Sequence, residues 1–182
     1  ALARRLGENP AELERWNART VAAINRKLWD EATGFYYSYD LRNQRRLQVK
    51  TSSGFMPLFA GICDATRAAR LAIHLTSSFA PAPGWRLCPS TAVDEPTYEP
   101  IKYWRGPIWI NLNWMLWHGL RRAGLDDLAG RVKADTMHFL GTVGLYEYFD
   151  ARPPTAGGEA RGLGAPRFSW SAALALDLLN NP

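Results

Sequence analysis

The chain has 182 residues, 47% of them hydrophobic, and a net charge of +5. That length holds one domain with one sizeable core, and that composition excludes a disordered segment. No apolar run reaches the roughly 18 residues of a membrane span, and basic pairs such as Arg4-Arg5, Arg45-Arg46 and Arg121-Arg122 are dispersed, where a nucleic-acid reader gathers them into a stripe.

Neither membrane nor nucleic acid is therefore an expected partner. Cys63, Cys88, His74, His118 and His138 lack metal-ligand spacing, so the expectation is no metal, no cofactor and a reduced, cytoplasmic setting. Eight Trp, seven Tyr and seven Phe are many for this length. Several lie in turn-rich sequence, where rings stack on the apolar faces of sugars; ordinary core and loop anchoring is the alternative.

The opening Ala1-Leu2-Ala3-Arg4-Arg5-Leu6 reads as helix interior without a signal-peptide apolar segment, as in a piece of something longer. Asn9 as N-cap, Pro10 at the first helical position and Glu12 at the capping-box position predict a helix start. Leu13, Trp16, Thr20, Ile24 and Leu28 then predict one buried stripe, ending before Thr33-Gly34. Residues 35–40 and 47–49 flank a polar turn and predict a small β-hairpin. Residues 54–61 read as a short apolar helix with Pro57 near its first turn, and Asp64 as the cap of a helix running to Leu75. The Pro-rich stretch 76–107 holds too many breakers for a helix, and its aromatics favour an ordered functional loop.

Residues 108–122 are apolar nearly all round, which predicts a helix buried on most sides. Gly124 ends it. Residues 125–140 read as amphipathic, with Leu128, Val132, Thr136 and Leu140 inward and Arg131, Lys133 and Asp135 outward. Residues 144–164 read as irregular, and 169–179 as a closing apolar helix. The alternation of outer helix, inner helix and long loop predicts an all-α fold, an αα-hairpin toroid amounting to about half of an (α/α)6 barrel. An open half ring leaves apolar inner helices uncovered.

Four segments carry a family resemblance. Leu28-Trp29-Asp30-Glu31-Ala32-Thr33-Gly34-Phe35-Tyr36 and Lys50-Thr51-Ser52-Ser53-Gly54-Phe55-Met56-Pro57 are the first two. Tyr103-Trp104-Arg105-Gly106-Pro107-Ile108-Trp109 is the third. The fourth runs from Tyr146-Glu147-Tyr148-Phe149-Asp150 through Gly162-Leu163-Gly164 to Phe168-Ser169-Trp170-Ser171. In order and spacing they resemble glycoside hydrolase family 63 and the mannosylglycerate and glucosylglycerate hydrolase-like enzymes, over nearly the whole chain. Trehalases show a similar Glu-containing segment before a Gly-rich loop.

The resemblance implies the C-terminal part of a barrel, residues 1–182, that hydrolyses α-glycosidic bonds with inversion, releasing a hexose from glycerate or a similar small aglycone. Such chemistry needs two carboxyl groups about 6.5 to 9.5 Å apart. The family's general base maps to Glu147. Its general acid is an Asp in a Gly-Met-Asp-Asn-Ser-Pro-like segment of the N-terminal half, and no such segment stands here. Asp30, Asp40, Asp94 and Glu99 lie in other contexts, and Glu159 reads as a solvated loop residue. Trp104 and Trp109 resemble sugar-subsite residues, and Tyr103 with Trp104 the pair bordering the aglycone. Arg105 is open between substrate contact and loop clamp. The implied partners are a small glycoside and an N-terminal half-barrel chain. The rival readings are a catalytically inactive carbohydrate-binding half barrel, an α-glucosidase acting on oligosaccharides, and a scaffold without a sugar site.

Overall fold

The computed structural model describes residues 2–158 and 160–181. Seven α-helices and three two-stranded sheets are present among the described residues. The helices are α1 (Leu2–Arg5), α2 (Ala11–Lys27), α3 (Met56–Phe59), α4 (Ala65–His74), α5 (Ile110–Arg122), α6 (Asp126–Thr142) and α7 (Ser169–Asn180). The antiparallel pairs are β1 (Trp29–Asp30) with β2 (Phe35–Tyr36), β3 (Ser38–Asp40) with β4 (Arg45–Leu47), and β5 (Tyr146–Phe149) with β6 (Gly162–Pro166). The all-α partial toroid and the small hairpin around residues 38–47 are as the sequence implies.

Helix α5 is the hub and packs against α3, α6 and α7. No residue of 106–120 is exposed except by half-burial, which its all-round apolar pattern requires. Gly119 permits the closest approach: a Cβ there would lie 2.6 Å from the backbone nitrogen of Phe59 on α3. The main core runs beneath, with Phe35, Phe55 and Phe79 fully buried in edge contacts at 5.3 and 4.9 Å. Leu71, Leu75, Leu116, Leu120 and Val132 complete it. Helix α4 starts as read, since the Asp64 carboxylate accepts the Arg67 N–H at 2.8 Å.

Four expectations are corrected. Helix α2 begins at Ala11, one residue late; Asn9 Oδ1 accepts the Ala11 N–H at 3.0 Å. Its stripe is not buried: Leu13 and Trp16 are each 55% exposed, and only Ile24 and Leu28 reach the core. Residues 12–20 of α2 are all exposed, with Arg4 of α1 reaching across to Glu14, so the periodicity here does not correspond to a packed face. The helix stops at Lys27 because Trp29 and Asp30 pair with Tyr36 and Phe35. Asp30 organises that turn by accepting the Thr33 N–H at 2.9 Å, which holds its carboxyl below the usual range.

Asp135, expected outward, is buried. It accepts the Leu87 N–H at 2.9 Å and pairs with Arg86 at 3.0 Å. The reason lies in the stretch 76–107, which threads the core with Leu87, Cys88, Ser90 and Thr91 all buried. A buried non-helical backbone must find side-chain partners. Asp135 supplies one, and Asn113 supplies two, accepting from Cys88 N–H at 3.0 Å and donating to the Leu87 carbonyl at 2.9 Å. Finally, 144–164 is not wholly irregular, because β5 and β6 form a hairpin there.

Candidate functional site

The site is built where strand β5 meets the start of α5. Ile108 and Phe149 exchange backbone hydrogen bonds of 2.8 and 2.9 Å. Beneath them Ile108, Ile110, Phe139, Phe149 and Ala151 form a second buried cluster. This junction fixes the strand carrying Glu147 relative to the loop carrying Trp104 and Trp109.

Above the junction the rings stack. Trp104 lies on Trp109 at 3.7 Å and 7° between planes, and Trp109 lies on Tyr148 at 4.7 Å and 23°. Tyr103 packs edge-on against both Trp109 and Tyr148. Trp109 is 1% exposed and donates its indole N–H to the Tyr103 carbonyl at 3.1 Å, whereas Trp104 is 42% exposed. The stack therefore has a buried anchor and an open face. Of the residues singled out from sequence, Tyr103, Trp104, Trp109 and Glu147 gather here.

Glu147 is half-buried, and its Oε2 accepts the Ala165 N–H at 3.4 Å. Burial, then the charge of Glu147, pushes the Tyr148 phenol above its ordinary value. Tyr148 thus stays a neutral hydroxyl beside the carboxylate. The sequence reading left Tyr148 out. The signal was the two-residue alternation of Tyr146 and Tyr148 about Glu147, visible only once 146–149 is taken as a strand.

Arg105 joins the loop and not the open face. Its guanidinium pairs with Glu99 at 2.8 Å and donates to the Thr97 carbonyl at 3.2 Å. It holds the turn presenting Trp104, the clamp alternative. Asp150 is buried and taken: Arg152 binds it through its backbone and side chain at 2.8 to 3.1 Å. Glu159 lies outside the described residues. Trp170 meets Trp109 edge-on at 5.9 Å, and its indole N–H has no hydrogen-bond partner among the described residues.

No group of three or more His, Cys, Asp or Glu among the described residues is placed to hold a metal. Cys63 and Cys88 are free thiols, and burial pushes both above the ordinary thiol value. No helix among the described residues is long and apolar enough to cross a membrane. An apolar cavity of about 330 Å³ between α2 and α3, lined by Ile24, Tyr37, Met56 and Ile62, is lined by no carboxylate.

Helical hairpins packed about one buried helix, with loops that bring a carboxylate to an aromatic stack, define a segment of an αα-toroid. The chain belongs to the mannosylglycerate hydrolase MGH1-like glycoside hydrolase domain family, whose model matches residues 1–171. It is 44% identical over 181 residues to mannosylglycerate hydrolase of Thermus thermophilus, covering 97% of this chain and 40% of that protein. It is 38% identical over 185 residues to the enzyme of the same name from Rubrobacter radiotolerans, covering 98% of this chain and 39% of that protein. The Thermus thermophilus GH63 mannosylglycerate hydrolase in complex with Tris and D-glycerate superposes with a TM-score of 0.89 at 41% identity, over 99% of this chain and 41% of that one. The chain thus spans about two fifths of the length of these relatives.

Proposed function

We propose that this chain supplies the base side of an inverting glycoside hydrolase site. Glu147 activates water, and Trp104, Tyr103 and Tyr148 form the sugar platform over Trp109, which is sandwiched between Trp104 and Tyr148 and anchors them rather than touching sugar. The substrate is an α-linked hexose on glycerate or a similar small acid, which suits a chain of net charge +5. The general acid is an Asp on an N-terminal half barrel, of which this chain, residues 1–182, is the C-terminal complement. The supporting observation is the Glu147 carboxylate beside the edge of Tyr148, the ring that closes the Trp104–Trp109–Tyr148 stack. The names of the relatives support the substrate class. Uncovered apolar side chains support the complementary half: Leu13 and Trp16 on α2, and Leu176 and Leu179 on α7, each at least 55% exposed.

Proton NMR of mannosylglycerate turnover by the full-length polypeptide tests this. The first sugar released should be the β anomer, seen before mutarotation, because inversion needs no covalent intermediate. A first-formed α anomer would require a nucleophile instead. The 182-residue chain alone should give no turnover above background, and single-chain hydrolysis would overturn the division of the two carboxylates between halves.

A second reading, a carbohydrate-binding half barrel without catalysis, has one observation in its favour. Asp150 and Glu99 are both committed to arginines. Turnover by the full-length polypeptide excludes it. Trp104 separates platform from scaffold. Because the outer ring of the stack contacts ground and transition states alike, Trp104→Ala should raise KM by about tenfold with kcat nearly unchanged. Unchanged KM would remove Trp104 from the platform.

A further inference from the structure

The β5–β6 pair departs from regular pairing at one place. Tyr146 faces Pro166 and Tyr148 faces Leu163, so two steps along β5 match three along β6. Opposite Glu147, then, β6 carries an extra residue, a β-bulge. Within it Gly164 has φ +72, the left-handed conformation that glycine adopts without steric cost.

The bulge also makes room. A Cβ on Gly164 would lie 2.5 Å from Glu147 Oε2 and 2.8 Å from Tyr148 Cε1. In a regular strand, consecutive side chains leave on opposite faces. Here the Glu147 carboxylate and the edge of the Tyr148 ring reach the same spot, where Gly164 has no side chain. The next residue, Ala165, donates its backbone N–H to Glu147 Oε2 at 3.4 Å.

We propose that Gly164 is a positioning residue for the general base: its bulge leaves the slot that the Glu147 carboxylate occupies, and presents the Ala165 N–H that holds it against the Tyr148 ring. The proposal rests on the reading of Glu147 as base. Bulges beside active sites re-aim side chains, and a base displaced by about 1 Å loses up to about 10² in rate.

Glycine is needed here for two reasons, its φ and its missing Cβ, and two substitutions separate them. Gly164→Ala fails on both. Gly164→Asn tolerates the left-handed backbone but still places a Cβ in the slot. In the full-length enzyme both should lower kcat by about 10- to 100-fold with KM within about threefold. Gly164→Asn should recover thermal stability relative to Gly164→Ala without recovering kcat. A merely structural glycine gives the other result, with kcat returning alongside stability, and wild-type kcat in Gly164→Asn overturns the proposal.

Glu147→Gln is the companion measurement. If it is inactive while Gly164→Asn is normal, only the positioning role falls. If it is fully active, the base assignment falls and takes the positioning role with it. Should neither Gly164 variant fold, the native backbone decides. The Ala165 amide proton should move upfield in Glu147→Gln, since a carboxylate deshields a bonded N–H more than an amide oxygen does. An unmoved Ala165 resonance overturns the proposal.

Discussion

In the full-length polypeptide, Glu147→Gln should lower kcat by about 10² to 10⁴ while KM stays nearly constant, the signature of a lost general base. Glutamine keeps the shape of the side chain and an oxygen able to accept the Ala165 N–H, so the hairpin should remain folded. What disappears is the ability to take a proton from water. No described neighbour is free to replace it. Asp150 is buried under Arg152, and Glu99 is tied to Arg105 and Lys102. The Tyr148 phenol has its pKa raised by burial and by Glu147 itself, so it stays protonated in the neutral range. Steady-state rates on mannosylglycerate decide the matter. A normal kcat in the variant would move the role elsewhere, with Glu159 first to test because it shares the segment.

The helices were legible in the sequence wherever the signal is local. The Asp64 cap, the all-round apolar pattern of α5 and the closing helix α7 each depend on residues a few positions apart. What a face packs against is not local. Leu13 and Trp16 have the spacing of a buried stripe and lie open, while Asp135 has the look of a solvated position and lies buried. An acceptor stands at Asp135 because the threaded loop presents the Leu87 N–H, a requirement written some 48 residues away. The family motifs single out Glu147, Tyr103, Trp104 and Trp109, and the fold brings these candidate residues to one region. Tyr148 and Gly164 stand in the same motifs, but their parts emerge only once 146–149 and 162–166 are paired as strands with one extra residue between them. Arg105 needed its partner, Glu99, to be seen before its role as a clamp emerged.

Trp109→Ala should lower folding stability by roughly 3 to 5 kcal/mol, the range for removing a large buried ring. Trp109 is 1% exposed, and four aromatic neighbours touch it: Trp104 and Tyr148 on its faces, Tyr103 and Trp170 at its edges. Alanine removes those contacts and leaves the Tyr103 carbonyl without the indole N–H it accepts at 3.1 Å. Tyr103 sits at φ +39, an uncommon angle for a residue with a side chain. Losing its tie to Trp109 should let the Trp104 turn relax, so the variant should also lose substrate affinity. Trp109→Phe fills part of the volume but offers no donor; it should keep more stability than alanine and still loosen the turn. Denaturant midpoints of the full-length protein measure the first effect, and KM the second. Trp104→Ala is the contrast, since a ring 42% exposed should cost KM far more than stability. If Trp109→Ala shifts stability by less than about 0.5 kcal/mol, a size ordinary for surface changes, then Trp109 does not anchor the stack and Trp104 and Tyr148 are held by other means.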